Sequence, residues 1–183
     1  MVTEKIAVPK SSALLMLVAS AAMLLGVACT STKHDATTYK DNVKVALEQA
    51  DLKDVTVSED RDKNTITLGG TVHSEDAKGR AATVAQANAG PRIIANEVGV
   101  EPVGNEGASR KIESNLDDGI ESNYKAVLIS KGLDKQHIRY DAKNGVLTLK
   151  GSVKNPAQRQ EAQELAKNTP NVEQVVNEIQ IER

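Results

Sequence analysis

At 183 residues the chain has room for an export segment and roughly 150 residues of globular protein, enough for one ordinary domain or two small ones. Its composition, 39% apolar and 26% charged, is globular rather than disordered, but the only aromatic residues are Tyr39, Tyr124 and Tyr140, which counts against base stacking and against an aromatic cage for a sugar or flat cofactor. A formal net charge of -2 offers no basic surface of the kind that binds a nucleic-acid backbone, so no nucleic-acid partner is expected.

Residues 1–28 read as a secretory signal: Lys5 and Lys10 form a basic start, and Ala13 to Leu25 is an uncharged apolar run. The large apolar side chains occupy about 15 positions, short of the ~20 needed to span a bilayer. The run leads into Leu25-Gly26-Val27-Ala28-Cys29, and Cys29 is the only cysteine of the chain. That segment resembles the lipobox of bacterial lipoproteins, which implies diacylglyceryl modification of Cys29 and, with Thr30 rather than Asp following it, transfer to the outer membrane facing the periplasm. Gly26 stands where a lipobox has leucine, and Gly26 and Ala28 would also suit an ordinary signal peptidase and a soluble periplasmic product. Residues 29–38 are a short polar tether.

From residue 39 the sequence is written twice, because 39–101 align with 120–182 at a constant offset of 81 without a gap. Identical pairs include Leu47/Leu128, Asp60/Asp141, Leu68/Leu149, Gly70/Gly151, Val72/Val153, Ala81/Ala162, Ala85/Ala166, Asn96/Asn177 and Glu101/Glu182. Each copy opens with a helix, marked by Tyr39, Val43, Ala46, Leu47 and Ala50 and again by Ile120, Tyr124, Val127 and Leu128. A hairpin follows, with strands Val55 to Glu59 and Thr65 to Val72 about a polar turn, and its counterpart turning at Asp141 to Gly145. Gly70 and Gly151 fall on the apolar face of the second strand, where close approach of a helix backbone is expected.

A second helix is signalled by Ser74-Glu75-Asp76 and by Asn155-Pro156, with inner stripes Ala81, Val84, Ala85 and Ala162, Leu165, Ala166. A last strand covers Ile94 to Val100 and Val175 to Ile181, with Asn96 and Asn177 turned inward as hydrogen-bonded groups that fix it. The expected architecture is α+β: two tandem αββαβ domains, 39–101 and 112–183, each a three-stranded sheet backed by two helices. Residues 102–111, with Pro102, Gly104 and Gly107, are expected to link them, although Ile112, Leu116 and Ile120 at spacing four bring the next helix forward.

The sequences Ile66-Thr67-Leu68-Gly69-Gly70-Thr71-Val72 and Leu147-Thr148-Leu149-Lys150-Gly151-Ser152-Val153, an Ala-rich helix and a Val-x-Asn-x-Ile strand together resemble the BON domain, a family named for bacterial osmotically inducible and nodulation proteins. The resemblance covers about 125 of the 183 residues, and with the lipobox it is similar to tandem-BON lipoproteins of the enterobacterial outer membrane. It implies an envelope protein whose domains bind membrane phospholipid, anionic lipid through the second domain, and which supports envelope integrity.

Charge separates the copies: residues 39–101 hold 8 basic and 11 acidic side chains, 120–182 hold 9 and 8, so only the second suits an anionic surface. Lys150 and Lys154, with Arg159, Gln163 and Lys167 at spacing four on the second helix, are the candidate headgroup residues. Solvated surface charge is the plainer reading of the same five. His34, His73 and His137 show no metal-ligand spacing, and adjacent acids such as Asp117-Asp118 read as solvated. No catalytic, metal or cofactor site is expected, and the protein is not expected to be an enzyme. A soluble periplasmic stress or chaperone-like protein that binds envelope proteins is the alternative, and an adaptor that docks through its last strand is a third.

Overall fold

The computed structural model describes residues 38–182, so the expected signal and Cys29 lie outside it. The first helix, α1 (Tyr39–Gln49), begins at a capping box in which Thr38 Oγ1 accepts the Asp41 N–H. The Asp41 carboxylate in return accepts the Thr38 hydroxyl and N–H, bonds that hold its carboxyl below the usual range. Strands β1 (Val55–Asp60) and β2 (Thr65–Val72), helix α2 (Glu75–Asn88), and strands β3 (Ile93–Asn96) and β4 (Gly99–Val100) complete the first repeat. The second consists of α3 (Glu106–Ser130), β5 (His137–Lys143), β6 (Val146–Val153), α4 (Pro156–Lys167), β7 (Gln174–Asn177) and β8 (Gln180–Ile181).

In each repeat the second hairpin strand is central, antiparallel to the first and parallel to the last, which is broken into two short pieces. The expected αββαβ order and three-stranded sheet are therefore present twice. Val43, Leu47, Ile66, Leu68, Ala81 and Ala85 form the first core, and Ile120, Tyr124, Leu147, Leu149, Ala162 and Ala166 the second. Alanines on the inner stripes let helix backbones close on the sheets. Tyr124 is wholly buried, donates its hydroxyl to Ala162 O at 3.1 Å and meets Tyr140 edge to face at 5.1 Å; burial pushes its phenol upward.

Gly70 and Gly151 serve a different purpose from the expected one. Both have positive φ, +88° and +106°, and a Cβ there would overlap the carbonyl oxygen of Asp54, just before β1, or of His137 at the start of β5. The close approach is strand to strand within the hairpin; no helix backbone is involved, and Gly70 is exposed.

The stretch 102–111 is linker only as far as Asn105, because α3 starts at Glu106 and runs for 25 residues. Three contacts draw the helix start forward. Glu106 accepts the Gly104 N–H at 2.8 Å, Arg110 pairs with Glu101 at 3.0 Å, and Glu113 Oε1 accepts the Val100 N–H at 2.8 Å. The guanidinium of Arg110 holds the Glu101 carboxyl below its usual range.

Glu113, Asp117 and Glu121 recur every fourth residue and form a stripe that caps backbone donors of both repeats. Glu113 serves β4, Asp117 takes the N–H groups of Asn144 and Gly145 at 2.8 and 3.1 Å, and Glu121 takes that of Ala142 at 3.0 Å. Asp117 thus departs from the solvated reading, whereas Asp118 is exposed. Replacing Asp117 with Ala is expected to lower stability by about 1.5 kcal/mol through the two N–H groups it leaves unpaired. Asp118→Ala should change it by less than about 0.5 kcal/mol. Urea denaturation of the two variants checks the difference.

The two repeats pack as one compact unit. Their last strands, β3 and β7, face each other across an apolar contact of Ala95, Val146 and Val176. Around it Lys78 Nζ meets Glu173 Oε2 and Asn144 O, both at 3.0 Å, while Asn144 Nδ2 donates to Glu97 O at 2.7 Å. Lys143 pairs with Glu97 at 3.4 Å and Lys63 lies 4.0 Å from Glu178. Lys63 corresponds to Asn144 in the repeat and Glu97 to Glu178, so the Lys63–Glu178 pair and the Asn144–Glu97 bond are the same contact read in opposite directions. The junction is a pseudo-two-fold face, in which each repeat presents the same patch to the other.

Candidate functional site

Side chains alternate across β6, so Leu147, Leu149 and Val153 enter the core while Val146, Thr148, Lys150 and Ser152 face away from the helices. On β5 the outward residues are His137, Arg139, Asp141 and Lys143. The antiparallel register sets Arg139 directly opposite Lys150 and His137 opposite Ser152, and Lys154 follows on the same side. Neither Arg139 nor Lys150 has an ion-pair partner among the described residues. Like charges placed opposite one another on a sheet repel, so this pair carries a local cost that an anion would relieve.

The five residues named from the sequence do not converge. Lys150 and Lys154 belong to the outer sheet face. Arg159 and Gln163 lie on the other side, where they brace the broken last strand: Arg159 donates to Ile179 O at 2.8 Å and Asn177 O at 3.1 Å, and Gln163 Oε1 accepts from Asn177 Nδ2 at 2.9 Å. Lys167 pairs with Glu164 at 3.0 Å in the last turn of α4, where a cation also complements the helix dipole. Arg139 was missed because spacing along one strand cannot supply the register that sets it against Lys150. The alternation of exposed residues along β5 is the signal that places it on the outer face.

Asn177 fixes the strand break, as expected of an inward asparagine. Its Oδ1 accepts the Ile179 N–H at 3.1 Å and its Nδ2 donates to Arg159 O and to Gln163. In the first repeat Asn96 Nδ2 donates to Lys78 O at 3.2 Å, but its Oδ1 is buried without a partner. There Ala82 takes the place of Gln163, and Lys78, the counterpart of Arg159, reaches across to the second repeat.

The basic outer face belongs to the second repeat alone, since Ser58, Gly69 and His73 occupy the positions of Arg139, Lys150 and Lys154 in the first. Asp141 shares that side on β5, two residues from Arg139, and Glu182 lies beside Ser152. Glu182 accepts from Ser152 Oγ at 3.0 Å and lies 3.4 Å from His137, contacts that hold its carboxyl below the usual range. Among the described residues no group of three or more His, Cys, Asp or Glu side chains converges to hold a metal ion, and no helix is long and apolar enough to cross a membrane.

Two copies of a domain with a helix, a hairpin, an Ala-rich helix and an asparagine-broken last strand define the class: the chain matches the BON domain at residues 35–102 and 116–183 and belongs to that family. Among curated proteins it is similar to Osmotically-inducible protein Y of Escherichia coli strain K12. The two are 28% identical over 139 residues, covering 75% of this chain and 68% of that protein. A solved structure, the C-terminal domain of CdsD, a structural protein of the Type III secretion system of Chlamydia trachomatis, aligns at 12% identity and a TM-score of 0.30. That alignment covers 76% of this chain and 62% of that one, a likeness that carries no argument.

Proposed function

We propose that this BON-domain protein is an exported lipoprotein, anchored through Cys29 in the outer membrane and facing the periplasm, whose second domain binds anionic phospholipid headgroups and supports envelope integrity. The observation that carries the reading is the Arg139/Lys150 pair, two cations opposed on the outer sheet face, neither with an ion-pair partner among the described residues. Lys154 extends the patch. Each such cation contributes about 1 kcal/mol near an anionic bilayer, and the contribution fades with salt. Arg159 and Gln163, held by the last strand, support the fold behind this face and do not supply the headgroup contacts.

The test is co-flotation with vesicles of phosphatidylglycerol in phosphatidylcholine. Lys150→Gln should lower the bound fraction's partition coefficient about fivefold at low salt, the size expected for one surface cation. Equal binding to pure phosphatidylcholine would overturn the headgroup reading. Anchoring is tested separately by the intact mass of the membrane fraction: a diacylglyceryl group and acyl chain are expected on Cys29 and absent from Cys29→Ser. An unmodified protein in the soluble fraction would instead favour a periplasmic protein that binds other proteins.

A further inference from the structure

The repeat supplies an internal template for a docking site on the second domain. In the first domain the short strand β4 is covered by the N-terminal half of α3, and a cavity lies between that half and the start of α2. Glu113 accepts the Val100 N–H, Arg110 pairs with Glu101, and Leu116 with Glu113 lines the wall that faces Glu75 and Lys78. The corresponding surface of the second domain comprises Ile181, Glu182, Pro156 and Arg159, at an offset of 81 from Val100, Glu101, Glu75 and Lys78. There it is open. Among the described residues no carboxylate meets the Ile181 N–H, Ile181 is 43% exposed, and a groove of about 370 Å³ runs between it and Pro156, Arg159 and Gln163 on α4.

We infer that this groove receives an amphipathic helix of a partner protein, one that presents to β8 what α3 presents to β4: a basic residue for Glu182, a carboxylate three positions later for the Ile181 N–H, and an apolar residue three further on facing Pro156 and Arg159. In α3 those roles belong to Arg110, Glu113 and Leu116. Charge complementarity favours this occupant. Glu182, next to Ile181 at the groove mouth and bonded to Ser152, provides an acid for the partner's base, and Arg159, on the groove wall, provides a cation for its carboxylate. An edge strand whose outward N–H and apolar side chain are both uncovered is a pairing surface, and in the first domain the fold covers the same edge with a helix. The site adjoins the basic outer face only at Glu182, which there accepts from Ser152, and it does not depend on lipid binding.

The probe is a synthetic peptide with the sequence of residues 104–119, titrated into the full isotopically labelled protein. Amide shifts are expected at Gln180 to Glu182 and along α4 from Arg159 to Gln163. A peptide carrying R110E and E113K should bind roughly tenfold more weakly to the wild type, because both charge contacts turn repulsive. Glu182→Lys should reverse the first of these and narrow the gap between the two peptides. Absence of shifts at β8, equal binding of both peptides, or shifts confined to Val100 and Glu101, which would mean displacement of the chain's own α3, would each overturn the inference.

Discussion

Gly151→Ala is expected to destabilise the second domain by roughly 3 kcal/mol or more and to unfold it ahead of the first. Two costs add. The residue sits at φ +106°, a backbone conformation that side chains other than glycine's rarely adopt, and strain of this kind costs about 1 to 3 kcal/mol. The added Cβ would also overlap His137 O, a backbone atom at the start of β5 that yields only if the hairpin opens there. Gly70→Ala should act in the same way on the first domain through Asp54 O.

A contrasting substitution guards against a general intolerance of glycine replacement. Gly119 lies within α3, and a Cβ added to it would have nothing within 4 Å, so Gly119→Ala should stabilise by about 0.8 kcal/mol through helix propensity alone. Two-step urea unfolding of Gly151→Ala against a raised midpoint for Gly119→Ala is the expected result. A Gly151→Ala protein as stable as the parent would remove the hairpin account of the repeated glycine.

These glycines also show where sequence reading stops. Their recurrence at an offset of 81 marks them as required, and the apolar alternation around them locates the strand. What approaches them depends on hairpin register and local twist, which no spacing encodes. The same limit governs the candidate site. Arg159, Gln163 and Lys167 do share one side of α4, as spacing four requires, yet two of them are occupied by carbonyl and amide groups of a strand break that reads as continuous β-pattern in sequence. Elements and cores were legible because helical and strand periods are local properties of the chain. The α3 stripe was legible in part: Glu113, Asp117 and Glu121 stand at spacing four, but only the fold reveals that edge N–H groups lie opposite them.

Gln174 is the second residue whose loss should be felt widely. Its carboxamide does for β3 what an additional strand would do: Oε1 accepts the Asn96 N–H at 3.0 Å and Nε2 donates to Ile94 O. The pseudo-two-fold junction offers no second such clamp, because the counterpart of Gln174 is Ile93, which is 40% exposed. Gln174→Ala leaves one donor and one acceptor of an edge strand without partners, at a cost of about 2 kcal/mol in total where water reaches them poorly.

Gln174→Glu should cost more, about 3 kcal/mol, since it keeps the acceptor for Asn96 but sets a carboxylate against the Ile94 carbonyl. Stability is therefore expected to fall in the order Gln, Ala, Glu, with loss of hydrogen-exchange protection at the Asn96 amide in both variants. An exposed β3 should also promote self-association at high protein concentration, visible by sedimentation, because an unpaired edge is a template for another strand. If Asn96 stays protected in Gln174→Ala, the packing of Ala95 against Val146 and Val176 covers the edge by itself, and the clamp is dispensable. If protection is lost in step with stability, one side chain in the second repeat completes the sheet of the first, and the first BON domain draws part of its stability from the second.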